Sequence, residues 1–100
     1  LSVNGIVCGQ DITAVGVMKA LKRRGLRVPE DVAVTGCDNS PYSRICEPEL
    51  ASLDNKPELL GRMCARILAA RLEQEDGEEA ETETGAAIQP ELIVRESARL

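Results

Sequence analysis

The sequence predicts an α/β fold built on a parallel sheet, and three observations carry that prediction. Short apolar runs recur, and each ends in a polar pair. Gly5-Ile6-Val7-Cys8-Gly9 leads into Gln10-Asp11, Val32-Ala33-Val34-Thr35-Gly36-Cys37 into Asp38-Asn39, and Leu50-Ala51-Ser52-Leu53 into Asp54-Asn55. A helical segment follows the first run, a loop the second and a helical segment the third, an α/β pattern with parallel connections. The middle run does not alternate with polar residues, as expected of a strand covered on both faces. Parallel strands place all three polar pairs at carboxyl ends, where open α/β sheets bind ligands. The pairs therefore point to a small polar ligand.

Each element has a local reason. Asp11 is placed to cap a helix that begins Ile12-Thr13-Ala14-Val15 and runs to about Arg24. Lys19, Lys22, Arg23 and Arg24 load its last turns with cations, matching the negative end of the helix dipole, and Gly25 supplies a left-handed stop. Ile12, Ala14, Val15, Gly16, Val17, Met18, Ala20 and Leu21 spread around its circumference. A helix apolar on more than one side is covered on more than one side, so one face is expected on the sheet and the other against a partner subunit. Val28-Pro29-Glu30-Asp31 reads as a turn and the stretch Tyr42 to Pro48 as irregular. Pro57 fits the first turn of a second helix, in which Leu60, Met63-Cys64, Ile67-Leu68 and Leu72 recur at helical spacing. Glu73 to Gly85 reads as an acidic solvated loop, and Ala86 to Gln89 and Glu91 to Arg95 as two short strands around Pro90.

Composition narrows the function. One hundred residues with 43% hydrophobic content suit one small globular unit. The core reads as aliphatic, and the chain has one aromatic residue, Tyr42, so most of the segment offers nothing to stack on a sugar or base. With 17 acidic against 12 basic residues, the segment lacks the positive footprint of a DNA-binding module. No apolar run approaches the ~18 residues of a membrane span, and no signal peptide opens the chain, which reads as soluble and cytoplasmic. It opens Leu1-Ser2-Val3 without a methionine, like the carboxyl-terminal piece of something larger. Cys8, Cys37, Cys46 and Cys64 show no C-x-x-C pairing, and there is no histidine, so neither a metal site nor a cofactor is expected. Cys8, Cys37 and Cys64 sit in apolar runs and read as small buried hydrophobes. No nucleophile elbow, P-loop or G-x-G-x-x-G is present, and an enzyme is not expected.

Within the polar pairs, helix capping explains Asp11, whereas nothing local requires an amide at Gln10. An Asx turn competes with ligand binding for Asp38 and Asn39, and a helix-entry role competes for Asp54 and Asn55.

The order of motifs resembles a known family. Ile6-Val7-Cys8-Gly9-Gln10-Asp11-Ile12-Thr13-Ala14-Val15-Gly16, the block Gly25-Leu26-Arg27-Val28-Pro29-Glu30-Asp31-Val32 continuing to Asp38-Asn39-Ser40, Pro48 to Asn55, and the closing Pro90-Glu91-Leu92-Ile93-Val94-Arg95-Glu96-Ser97 are similar to the carboxyl-terminal part of LacI/GalR (lactose-repressor/galactose-repressor) transcription regulators. The resemblance implies part of a periplasmic-binding-protein-like (type I) effector domain. In it, about 1–53 and 91–100 belong to the carboxyl-terminal lobe and about 55–89 to the amino-terminal lobe. It implies effector contacts at Gln10, Asp38 and Asn55, and a homodimer interface at Val15, Lys19, Lys22, Tyr42, Ile45 and Cys46. The implied ligand is a sugar, nucleoside or similar effector, and the implied partner is operator DNA, bound through a remote helix-turn-helix. A solute-binding protein of an ABC transporter shares the fold and is the alternative. The chain departs from the family in having Gln10 where Asn is usual and Cys37 where Tyr or Phe is usual.

Overall fold

A computed structural model of the chain describes residues 3–74 and 87–99. They divide into two compact units, one formed by residues up to Asn55 together with those from Pro90 onward, the other by Lys56–Gln89.

The first unit holds a sheet in the order β1 (Gly5–Val7), β2 (Ala33–Cys37), β3 (Ala51–Asp54), β4 (Glu91–Ile93). β1, β2 and β3 are parallel, with Gly5 beside Ala33 and Thr35 beside Ala51. Because β1 ends opposite Thr35 and β3 continues past Cys37, the three carboxyl ends stand side by side. The last strand corrects the sequence reading twice. β4 pairs antiparallel to β3, Leu92 beside Leu53, and residues 87–90 form no strand. Ala86 lies outside the described residues, as does most of the acidic loop from Glu73 to Gly85.

Helix α1 (Asp11–Arg23) crosses from β1 to β2 and buries Ala14, Met18 and Leu21, spaced four and three residues apart so that they share one face. They pack with Cys8, Val32, Val34 and Leu50 into one aliphatic core, in which each large side chain contributes roughly 2 kcal/mol by leaving water. β2 has no exposed residue, but its faces differ: Val34 and Gly36 are buried while Ala33, Thr35 and Cys37 are half-buried. α1 covers the first set.

The two ends of α1 bear on the sequence reading differently. Asp11 is not the cap: Gln10 takes that position with extended backbone, its carbonyl accepting the Ala14 amide at 3.1 Å, and no side chain caps the helix. The carboxyl end is a Schellman motif, in which the Gly25 amide donates to Lys22 O and the Leu26 amide to Leu21 O, both at 3.0 Å. Gly25 has φ +76°, and nothing lies within 4 Å of where its Cβ would be. Gly25→Ala is therefore expected to cost about 1 kcal/mol through backbone strain alone, read as a lower urea midpoint with unchanged slope.

Beyond the helix, the Asp31 carboxylate accepts from the Arg27 amide at 2.7 Å and from its guanidinium at 3.1 and 3.3 Å, closing the turn before β2. Those hydrogen bonds hold the Asp31 carboxyl below its ordinary range. Tyr42–Ile45, read as irregular, forms one helical turn, α2, because the Ser43 and Arg44 amides find the carbonyls of Ser40 and Pro41. Of the cysteines, Cys8 is buried as expected, which pushes its thiol up. Cys37 is half-buried and Cys64 exposed, so neither is the buried hydrophobe the sequence suggests.

The second unit is described by its helix α3 (Pro57–Glu73), entered through Lys56 at φ +53° with Pro57 in the first turn. None of its residues is buried. Leu59, Leu60, Leu68 and Leu72 are exposed.

Candidate functional site at the carboxyl ends of β1, β2 and β3

The site is organised by the turn leaving β2. Asp38 and Asn39 both have positive φ, +91° and +47°. Two consecutive non-glycine residues in this region are uncommon, and Asp and Asn are the types that bear it best. Their conformation is held by neighbours. The Asp38 amide donates to Leu53 O at 2.8 Å, the Asn39 amide to Ser52 Oγ at 2.9 Å, and the Ser40 amide to Asp11 Oδ2 at 2.6 Å. Three successive amides are thus bound to β3 or α1, and the Asp38 side chain is left exposed.

That side chain meets Asn55, which follows β3. Asn55 Nδ2 donates to Asp38 Oδ1 at 3.0 Å and approaches Cys37 Sγ at 3.3 Å. The pair joins the ends of adjacent parallel strands and presents an acceptor-only carboxylate beside an amide that both donates and accepts. Such a set has the chemistry to accept from and donate to hydroxyl groups. Gln10 is exposed at the end of β1, next to β2 in the sheet, but the hydrogen bonds that join Asp38 to Asn55 do not include it. Of the three sequence-predicted contacts, two are in direct contact and the third is placed by strand order.

Behind the exposed pair lies a polar network. Asp11, 3% exposed, accepts from Ser40 N, Ser40 Oγ and Ser52 Oγ, each at 2.6 Å. Gly36 makes this possible: a Cβ there would overlap Asp11 Oδ1 and lie 2.8 Å from Leu50 Cδ2. Asn39 Oδ1 accepts from Arg95 Nη2 at 2.6 Å, and Ser43 Oγ, whose proton goes to Ser40 O at 2.6 Å, lies 3.4 Å from it. Ser97 joins β2 to β3 where their ladder begins, donating to Val34 O at 2.6 Å and accepting from the Ala51 amide at 2.8 Å. The sequence reading missed this network. Its one visible signal was a serine, Ser52, inside an apolar strand, since a buried hydroxyl needs partners.

The six residues expected at a subunit interface lie on α1, α2 and the residue after α2. Lys19, Lys22, Tyr42 and Ile45 are exposed, while Val15 and Cys46 are half-buried against the core. Val15, Met18, Lys19, Lys22, Cys46 and Glu47 line a groove of about 280 Å³. No helix among the described residues is long and apolar enough to cross a membrane.

Comparison with known proteins places this geometry. The profile of the periplasmic binding protein-like domain matches residues 3–98. The chain is 36% identical over 96 residues to the HTH-type transcriptional repressor PurR of Glaesserella parasuis, covering 94% of this chain and 28% of the repressor. It is 35% identical over 95 residues to the HTH-type transcriptional regulator CelR of Thermobifida fusca, covering 95% of this chain and 27% of the regulator. Among solved structures, a CelR–cellobiose complex superposes with TM-score 0.82 at 34% identity, over 96% of this chain and 28% of that one. A LacI family regulator from Arthrobacter in complex with lactose superposes with TM-score 0.83 at 31% identity, over 97% and 36%. The chain thus spans a little over a quarter of the curated relatives it matches. On these matches, the chain belongs to the periplasmic binding protein-like domain family, in the form that LacI-type transcriptional regulators carry.

Proposed function

We propose that this chain is the carboxyl-terminal part of the effector-binding domain of a LacI-type regulator, in which Gln10, Asp38 and Asn55 contact a small hydroxylated effector. The observation that carries the reading is the 3.0 Å hydrogen bond between Asn55 and the exposed Asp38, at the ends of neighbouring parallel strands. The sugars named for similar structures, cellobiose and lactose, support a sugar-class ligand. Asp38 accepts hydroxyl hydrogen bonds, and the Gln10 and Asn55 amides orient the ligand.

In the whole regulator, residues 1–53 and 91–100 belong to the carboxyl-terminal lobe and 55–89 to the amino-terminal lobe. Effector binding biases the conformational equilibrium of a cytoplasmic homodimer, assembled through Val15, Lys19, Lys22, Tyr42, Ile45 and Cys46. This controls operator binding by a helix-turn-helix elsewhere in the protein, since a ligand shifts an equilibrium only by its differential affinity for the two states. The role is sensing, without catalysis.

The test is a thermal-shift screen of the full-length protein with cellobiose, lactose, other disaccharides, monosaccharides and nucleosides, followed by calorimetry on each compound that raises the midpoint. A stabilising sugar or nucleoside that also changes operator affinity is the expected result. Stabilisation by none of these classes counts against the assignment.

A further inference from the structure

We propose that Arg95 is a positioning residue for the effector site, acting through Asn39 to hold the left-handed turn that presents Asp38. The inference rests on the reading of Asp38 as an effector contact. Arg95 lies two residues beyond β4, half-buried, and its guanidinium reaches three elements. Nη1 donates to Leu50 O at 2.8 Å, just before β3, and to Ser43 Oγ at 3.1 Å in α2. Nη2 donates to Asn39 Oδ1 at 2.6 Å.

All three acceptors are neutral oxygens, and among the described residues no carboxylate pairs with the guanidinium, so these contacts place the cation by geometry. A guanidinium suits this because its donors lie in one rigid plane, which fixes the acceptors relative to one another. Leu50 O and Ser43 Oγ anchor that plane to the scaffold. Nη2 holds the Asn39 side chain. Asn39 adjoins Asp38, and both residues are in the sparsely populated positive-φ region, where a conformation persists only when its surroundings over-determine it. The Ser52 and Asp11 contacts restrain the backbone of this turn, and the Asn39 side chain is held on Oδ1 by Arg95 at 2.6 Å and, by a longer bond, on Nδ2 by the Asp54 carboxylate at 3.5 Å. The Asp38 carboxylate therefore keeps its direction without ligand, which lowers the ordering cost of binding.

Amide hydrogen exchange of the full-length protein, without ligand, tests this. Arg95→Ala is expected to speed exchange at residues 38–40 by about tenfold, the scale of one lost charge-assisted hydrogen bond, relative to the core amides of α1 as internal reference. Arg95→Lys, with a point charge in place of the fork, is expected to fall between. Asn39→Ala should speed exchange at least as much, since alanine adds the strain of positive φ to the lost contact, and adding Arg95→Lys to it should change exchange less than twofold, because the coupling partner is gone. Exchange that rises equally in α1 and the turn, or effects of Arg95→Lys and Asn39→Ala that multiply, would show a general structural role and overturn the inference. If Arg95→Ala does not fold, the Arg95→Lys and Asn39→Ala pair decides alone. Because no ligand is present, this outcome is independent of whether Asp38 proves to contact effector.

Discussion

Asp11→Ala is expected to lower the unfolding free energy of the protein by about 3 kcal/mol, the largest stability loss among the polar residues described. One nearly buried carboxylate takes three hydrogen bonds, two on Oδ2 from Ser40 and one on Oδ1 from Ser52, and each is 2.6 Å long. Truncation leaves the Ser40 amide and two hydroxyls facing a void, and hydrogen bonds to charged groups are the ones whose loss is felt most. The Ser52 hydroxyl is a relay. It donates its only proton to Asp11 and accepts the Asn39 amide, so the loss propagates into the positive-φ turn. Asp11→Asn separates charge from shape. It keeps one oxygen for Ser52 but turns an amide toward the Ser40 donors, so it should be nearly as destabilising as alanine. Urea unfolding monitored by circular dichroism reads both, and a loss below about 1 kcal/mol in each would mean that the network does not hold α1 to β2 and β3.

This carboxylate also shows where sequence reasoning stopped. An Asp at the start of a helix has a ready local explanation as a cap, and local hydrogen-bond chemistry favours that role. Whether the side chain turns back to its own helix or outward depends on what stands opposite, here Ser40 and Ser52, which are 29 and 41 residues away. No spacing rule carries that information. The strand ends were legible because apolar runs ending in polar pairs depend on neighbouring residues only, and so were α1, its Gly25 stop and α3. β4 was half legible. A short Leu-Ile-Val run says strand, but its direction is set by the return of the chain to β3, which periodicity does not encode. The same holds for Arg95: an arginine after a strand looks like a solvated charge until the strand order brings it under Asn39, 56 residues earlier.

Asp38 stands exposed after β2, in a turn held by Ser52 and Asp11, with its carboxylate accepting from Asn55. Asp38→Asn is expected to weaken effector binding about 100-fold in the full-length protein, while shifting stability by less than about 0.5 kcal/mol. The side chain is exposed and supports no packing, and Asn, with Asp, bears the +91° φ better than other non-glycine residues. The substitution keeps Oδ1 as a partner for Asn55 Nδ2 and replaces the second, negatively charged oxygen by a donor. A ligand hydroxyl that had donated there then faces a second donor. Asp38→Ala should lose binding as completely but also lose stability, because alanine pays the strain of positive φ with no side chain to offset it. Calorimetry with the compound that stabilises the wild-type protein, beside urea unfolding of both variants, separates the two effects. Unchanged affinity in Asp38→Asn would remove Asp38 from the site and leave its bond to Asn55 as a strand-end contact only.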